Sequence, residues 1–283
     1  MQKPTGIITI TTDFGQIDPY VAIMKGVILA INPSAKLVDI THQVPAGSIQ
    51  EGATIIKEAY KWFPKGTIHL GVVDPGVGGK RRPILVSVDN HFFVGPDNGL
   101  FWPTIELQRK IGTIELTEKK YWLTDISSTF HGRDIFAPVS AHLSLKIDPV
   151  LFGERISHPT TLDYPIPYET NNELIGHVIR IDRFGNLITN ITEDKLRAFT
   201  ASKDFVIKVG KIVLIKTSHS YSDAPKGEPL ALIGSSNLLE IAINMGRASD
   251  YLNEECGYGT KIIVEHTQVV KLKKNNVYCL TEV

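Results

Sequence analysis

The chain has 283 residues, and its 30 Lys and Arg balance 30 Asp and Glu to a formal net charge of zero. At roughly 150 residues per domain this length suggests about two domains, each large enough to bury a core without staples. A neutral chain is a poor candidate for binding phosphate backbones or anionic membranes. With 42 % hydrophobic and 21 % charged residues, disorder and coiled coil are also poor readings. A neutral surface repels its own copies weakly, so self-association is permitted.

Residues 6–12 are an apolar, β-branched run that reads as a buried strand ending at Asp13-Phe14-Gly15. Asp18 and Pro19 read as the N-cap and first residue of a helix that runs to about Ile31 and stops before Asn32-Pro33. Residues 37–40 read as a short strand. Ser48 and Glu51 read as a capping box opening a helix with Ile49, Ala53, Ile56, Tyr60 and Phe63 on its apolar face. Residues 67–73 are the next strand, ending at Asp74-Pro75-Gly76. The alternation of strand and helix predicts a parallel sheet with helices packed on it. Residues 84–88 and 92–94 flank Asp89-Asn90-His91 as a hairpin, and residues 96–99 turn into a short helix. Ile135, Phe136, Val139 and Leu143 recur at helical spacing after His131.

From about residue 173 the texture changes. Residues 174–181, 187–191, 205–209, 211–215, 230–233 and 261–264 read as short strands separated by turns, which predicts a small antiparallel barrel or sandwich. A linker with Pro159, Pro165 and Pro167 precedes them. The expected layout is an α/β domain with a mostly parallel sheet over residues 1–165 and a small antiparallel β-barrel domain over 173–283. Two cysteines, Cys256 and Cys279, without a CxxC, exclude a disulfide framework or a thiolate zinc site and fit two reduced thiols. The first residues carry no signal-peptide pattern, and the apolar stretch 21–31 is broken by Lys25 and too short to span a bilayer. A soluble, cytoplasmic protein is expected.

Ligands bind at the carboxyl ends of parallel strands. Asp13 with Asp18, and Asp74 with Pro75-Gly76-Val77-Gly78, fall directly after strands. A lone Asp there is usually a turn former; two of them, with the His131-Gly132-Arg133-Asp134 run, favour a site. The glycines after Asp74 match neither GxxxxGK[ST] nor GxGxxG. Arg81 can fold back onto Asp74 and keep it ionised, although a solvated loop cation is the plainer reading of the sequence. A single His is usually a surface or satisfied core residue, but the neighbours of His131 make a pocket position plausible. Asp13, Asp74, His131 and Asp134 are a candidate divalent-metal cluster, without any HExxH-like spacing. In the second half, residues 182–186 read as a plain turn between strands. The Gly234-Ser235-Ser236-Asn237 turn offers N–H groups to a carboxylate, and Tyr221 offers a stacking face or is simply a surface aromatic.

Six segments together resemble one family. They are TTDFG with Asp18 (from residue 11), VVDPGVG (72–78), VGPDNGL (94–100), STFHGRDIFAPVSAHL (128–143), IDRFGNLITNI (181–191) and GSSNLLEIAIN (234–244). In this order they are similar to the S-adenosyl-L-methionine (SAM) hydroxide adenosyltransferases, hydrolytic relatives of the fluorinating and chlorinating enzymes. The resemblance implies an N-terminal α/β domain, a C-terminal β-barrel and a homotrimer. Sites would lie between the N-terminal domain of one subunit and the C-terminal domain of the next. The implied reaction is SAM plus water giving adenosine and methionine, with SAM as substrate and no cofactor or metal. The family's catalytic set falls on Asp74, Arg81 and His131, and its ribose-holding acid on Asp13. Adenine and methionine contacts fall on Asp182, Asn186, Tyr221, Ser235 and Glu240, with main-chain help near Ile243. Gly132 stands where fluorinating members carry a halide-holding serine, and Asp74 where the halogenating enzymes carry a tyrosine. The long insertion of the fluorinating members is reduced here to Asp89-Asn90-His91. Asn237 replaces a usual glycine, and Ser236 an arginine that halogenating enzymes place on the methionine carboxylate. Alternatives are a nucleoside- or SAM-binding protein without efficient turnover, a halogenase-like activity, and a metal-dependent hydrolase.

Overall fold

The structure, a computed structural model, describes residues 3–106, 108, 111–201, 203–252, 257–267 and 277–278. Cys256 and Cys279 lie outside the described residues. Contacts divide the chain into two units, Met1–Tyr164 and Pro165–Val283.

The first unit is built on β1 (Ile7–Thr12), α1 (Tyr20–Ile31), β2 (Lys36–Thr41), α2 (Ile49–Ala59), β3 (Ile68–Val72), β4 (Pro83–Val88), β5 (His91–Pro96), α3 (Trp102–Ile105), β6 (Gly112–Leu116), α4 (Ala137–Ser144) and β7 (Gly153–Ile156). The sheet order is β2-β1-β3-β5-β4-β6-β7. The pairs β2–β1, β1–β3 and β3–β5 are parallel, and β4, β6 and β7 extend the sheet antiparallel. Strands β1, β3 and β5 bury both faces, which is why they read as continuous apolar runs. One face packs Ile8, Ile10 and Leu70 against Met24 and Ile28 of α1 and Val139 and Leu143 of α4. The other packs Val86 and Phe93 against Ala53 and Ile56 of α2 and Ile105 of α3. Asp89 and Asn90 close the β4–β5 hairpin at φ 46° and 62°, the left-handed pair that a two-residue turn requires; His91 belongs to the strand.

Three helix starts differ from expectation. Asp18 caps nothing: α1 begins at Tyr20 with Pro19 at its N-cap, and Ile23 N bonds the Pro19 carbonyl at 2.9 Å. Ser48 makes no side-chain cap bond and gives its hydroxyl to Glu51 at 3.4 Å instead. The helix after His131 opens as a wider turn, residues Gly132–Phe136, of the π type. Pro138 lacks the N–H that would bond the Asp134 carbonyl, and Leu123 N takes that carbonyl at 2.9 Å.

The second unit contains β8 (Tyr168–Glu169), β9 (Glu173–Ile181), β10 (Leu187–Thr192), α5 (Glu193–Thr200), β11 (Phe205–Val209), β12 (Ile212–Leu214), β13 (Thr217–Ser218), β14 (Pro229–Ile233), β15 (Leu238–Ile243), β16 (Lys261–His266) and β17 (Val277–Tyr278). Its order is β13-β14-β15-β10-β9-β16-β11-β12-β17, with β8 added on β9. All pairs are antiparallel except β13–β14. β12 comes beside β14, so the sheet nearly closes into a barrel around Leu174, Val178, Ile191, Ile207, Leu239 and Ile241. Strand β15 is absent from the sequence reading because LLEIAI, an apolar run with one acid, has no period of its own. Among the described residues, no helix is long and apolar enough to cross a membrane.

Candidate active site

In the first unit the chemistry gathers where β1 and β3 end side by side. Thr12 pairs with Val72, so Asp13 and Asp74 leave the same edge of the sheet on neighbouring strands. β2 lies on the far side of β1, making this the point where the strand order reverses and ligands characteristically bind. Asp13 Oδ2 accepts the Gly47 N–H at 2.8 Å. Gly47 sits at φ 73°, and a Cβ there would lie 3.6 Å from Pro75, so its loop runs between the two strand ends.

Arg81 is not a solvated loop cation. Its Nε donates to both Asp74 oxygens at 3.1 and 2.9 Å, and its Nη2 to Asp74 Oδ2 at 2.5 Å and to His131 Nδ1 at 2.7 Å. The Asp74 and Arg81 side chains are only 4 % and 10 % exposed. The guanidinium also lies over the Phe136 ring, 5.4 Å from its centroid. What the sequence could not display is the turn that folds Arg81 back. Val77 N bonds the Asp74 carbonyl at 3.2 Å, Gly79 N bonds that of Gly76 at 3.0 Å, and Gly78 takes φ 74°. A Cβ on Gly78 would stand 2.1 Å from the Ser128 carbonyl, so the loop carrying Arg81 touches the loop carrying His131 backbone to backbone.

A guanidinium only donates, so His131 Nδ1 must accept. A neutral His131 then carries its proton on Nε2. Burial, followed by the Arg81 charge, lowers the His131 pKa, with Asp74 and Asp134 opposing. The ring is therefore neutral near pH 7.

The metal cluster considered from sequence does not assemble. Asp134 is fully buried and occupied: Arg133 bonds it at 2.5 and 3.1 Å and Ser127 N at 2.8 Å. Among the described residues no three His, Cys, Asp or Glu groups converge as metal ligands do. Sequence reading missed an aromatic trio. Phe14, Tyr20 and Phe130 meet edge to face at 5.3–5.9 Å, joining the residue after Asp13 to the residue before His131. The available signal was an aromatic beside each polar candidate.

In the second unit, Asp182 Oδ1 accepts Phe184 N and Asn186 N at 2.9 and 2.8 Å, while Oδ2 accepts Asn186 Nδ2 at 3.0 Å. Asp182 and Asn186 thus form one unit on the β9–β10 hairpin, which holds Phe184 out at 73 % exposure. Tyr221 Oη donates to Glu240 Oε2 at 3.0 Å. Burial, this bond and the charges of Glu240 and Asp182 push the Tyr221 pKa up to about 12, so the phenol stays a donor. Glu240 is 6 % exposed in the middle of β15, between Ile188 of β10 and Leu232 of β14. Its carboxylate lies on Gly234, where a Cβ would stand 1.6 Å from Oε1. Ser235 is exposed in the turn above it, and Asn237 takes φ 58°, a conformation Asn tolerates in place of glycine. The Ile243 carbonyl, at the end of β15, accepts Gly246 N at 3.1 Å.

An open α/β sheet carrying a carboxylate–guanidinium–imidazole set at its switch point, followed by a nearly closed β-barrel, defines a two-unit enzyme-like architecture. The chain belongs to the SAM hydroxide adenosyltransferase family: the model of its N-terminal domain matches residues 8–153 and that of its C-terminal domain residues 176–261. A protein of Salinispora tropica named (R)-S-adenosyl-L-methionine hydrolase is 34 % identical over 255 residues, 88 % of this chain and 94 % of the relative. One of the same name from Methanocaldococcus jannaschii is 38 % identical over 87 % of this chain and 92 % of its own length. A fluorinase of an Actinoplanes species is 25 % identical over 84 % of this chain and 91 % of its own. The crystal structure of an uncharacterized conserved protein from Thermotoga maritima superposes with a TM-score of 0.86 at 34 % identity, covering 92 % of this chain and all of that one.

Proposed function

We propose that this chain hydrolyses S-adenosyl-L-methionine to adenosine and L-methionine by in-line attack of an activated water on C5′. The observation that carries the proposal is Arg81, which ties the buried Asp74 carboxylate to His131 at hydrogen-bond distances. The O–C5′ bond forms as the C5′–S bond breaks, and the bonding pair leaves on sulfur as neutral thioether. No general acid is required. What the site supplies is an aligned water, exclusion of bulk solvent and an acceptor for the water's proton. With Nδ1 engaged by Arg81, His131 presents Nε2–H and holds the water oxygen as a donor. Asp74 is then the proton acceptor, a role expected to contribute about 100- to 10,000-fold.

Asp13 holds the ribose. Asp182, Asn186, Tyr221, Ser235, Glu240 and the main chain at Ile243 hold adenine and methionine, with the Asp182 and Glu240 charges matched to a cationic substrate. The methionine carboxylate lies on the Ser235 and Ser236 N–H groups of the 234–237 turn, whose Gly234 and Asn237 N–H groups bond the Leu238 and Gly234 carbonyls and hold its shape, with Asn237 at φ 58°. Water rather than halide is favoured by the packing at Gly132. A side chain there would meet Met24 Sδ at 3.2 Å and Phe130 at 3.3 Å.

The working form is a cytoplasmic homotrimer whose sites pair the first unit of one subunit with the second unit of the next. In support, α1 presents Ala22, Ile23, Gly26, Leu29 and Ala30 outward, an apolar stripe that a solvated helix face does not carry. The SAM reaction uses no metal or cofactor.

The deciding experiment is product analysis in water enriched in heavy oxygen. Label in the adenosine 5′-hydroxyl supports attack at carbon. Tight SAM binding without product would make the chain a nucleoside-binding protein instead. Asp74→Ala and His131→Ala each lose most turnover while still binding substrate, and His131→Gln, which retains a donor, keeps more than His131→Ala. Wild-type rates in both alanine variants overturn the assignment. Activity that survives exhaustive chelation removes the metal mechanism, and light scattering that gives a strict monomer removes the shared site.

A further inference from the structure

Neither the six motifs nor the mechanism uses His42, yet it is 4 % exposed, with Nδ1 and the carbonyl on the turn around Asp13 and Nε2 on a charge behind it. Its Nδ1 lies 2.9 Å from the Thr12 hydroxyl, and its carbonyl accepts Gly15 N at 2.7 Å. The Thr12 hydroxyl in turn accepts Phe14 N at 3.3 Å. Residues on both sides of Asp13 are thereby tied to one imidazole. His42 Nε2 faces Asp39 Oδ1 at 3.0 Å in a bent approach, and Lys25 Nζ holds the other Asp39 oxygen at 2.6 Å.

The backbone is shaped to make this contact. β1 and β2 run in register to Ile10 opposite Asp39, then slip so that Thr11 faces Thr41. In a regular strand, residues three apart point to opposite faces. The extra residue at Ile40 shifts the register just before β2 ends at Thr41, and His42, in the bend that follows, meets both Asp39 and Thr12.

We infer that His42 is a positioning residue for substrate: it sets the Thr12-to-Gly15 turn and thereby the place of the Asp13 carboxylate. This rests on the reading of Asp13 as the ribose-holding group. The Asp39 carboxylate can only accept, so it places the imidazole proton on Nε2; in that tautomer Nδ1 is the acceptor and the Thr12 hydroxyl, which also accepts from Phe14 N, donates to it. The working contact is therefore an acceptor at the Nδ1 position. Asparagine carries its amide oxygen at that distance from the backbone. Glutamine carries its amide one atom further out, at the Asp39 end.

The test compares His42→Ala, His42→Asn, His42→Gln, Asp13→Asn and the double variant Asp13→Asn/His42→Ala, all in the full chain. It reads SAM turnover and calorimetric binding of adenosine. His42→Ala is expected to raise KM and weaken adenosine binding about 10-fold, with kcat within about threefold of wild type. His42→Asn restores binding to within about twofold, whereas His42→Gln behaves like alanine. The double variant binds adenosine no more weakly than Asp13→Asn alone, because both act on one turn. Wild-type binding by His42→Ala, no rescue by asparagine, or multiplied penalties in the double variant each overturn the inference while leaving the Asp13 reading intact. Wild-type adenosine binding by Asp13→Asn overturns the ribose reading and this inference with it. If His42→Ala does not fold, the asparagine–glutamine contrast decides.

Discussion

Replacing Arg81 by methionine keeps most of the side-chain volume and removes the charge that joins Asp74 to His131. The cost follows from burial: the Asp74 side chain is 4 % exposed and Arg81 makes three contacts with it at 2.5–3.1 Å. Breaking a buried pair from one side strands the other charge and costs about 3–5 kcal/mol. For a unit of this size that lowers Tm by about 10 °C. The imidazole reports separately. Arg81 is one of two causes that lower the His131 pKa, whereas Asp74 and Asp134 raise it and remain in the variant. The His131 titration, followed by NMR of the ring, moves to higher pH in Arg81→Met. Turnover falls about 100- to 1,000-fold by loss of an oriented cation. Lysine at position 81 keeps the charge without the fork and falls between the two. A Tm within about 2 °C of wild type, or a His131 titration that stays put or falls, refutes the reasoning.

Acid stability reports a second buried ring. Burial, then the nearby His91, lowers the His69 pKa from 6.5 to about 3. Between those values the unfolded chain binds a proton that the folded chain refuses, so stability falls as pH falls, by up to about 1.4 kcal/mol per unit. Above pH 6.5 this contribution vanishes, and His69→Gln should flatten the urea-denaturation profile only below it. Gly78→Ala places a methyl 2.1 Å from the Ser128 carbonyl at a φ of 74°. It should cost about 1–3 kcal/mol and lower turnover more than substrate binding, because it separates the Arg81 and His131 loops. Gly234→Ala must displace the Glu240 carboxylate, since its Cβ would stand 1.6 Å away. Site-specific NMR of Tyr221 should then show its titration falling from about 12, and an unchanged value would mean that the Glu240 bond survives.

Much of the central fold is legible because burial on both faces leaves a local trace. β1 and β3 are continuous apolar runs, α2 shows a face at helical spacing, and the Asp89-Asn90 turn announces its left-handed pair. β6, β7 and β15 carry no such trace. β6 and β7 join at the antiparallel margin, and β15 mixes a buried acid into an apolar run. Caps fail for a related reason: Ser48 sits at its N-cap, yet its hydroxyl finds Glu51 rather than a backbone N–H.

The candidate site divides along the same line. Residue type and place after strands mark Asp13, Asp74 and the His131 run as candidates, because an acid directly after an apolar strand is locally conspicuous, whereas Glu240 is marked only through the family resemblance. They leave Arg81 most plainly a loop cation, which only the family resemblance places in the catalytic set, and they do not single out His42. Only the tertiary structure puts Arg81 on Asp74, seven residues away, and on His131, fifty residues further on, and only the end of β2 and the bend after it bring His42 to Thr12. Hydrophobic periodicity records which face of an element is buried. Which polar groups meet once it is buried depends on loop turns and strand register, which no local pattern encodes.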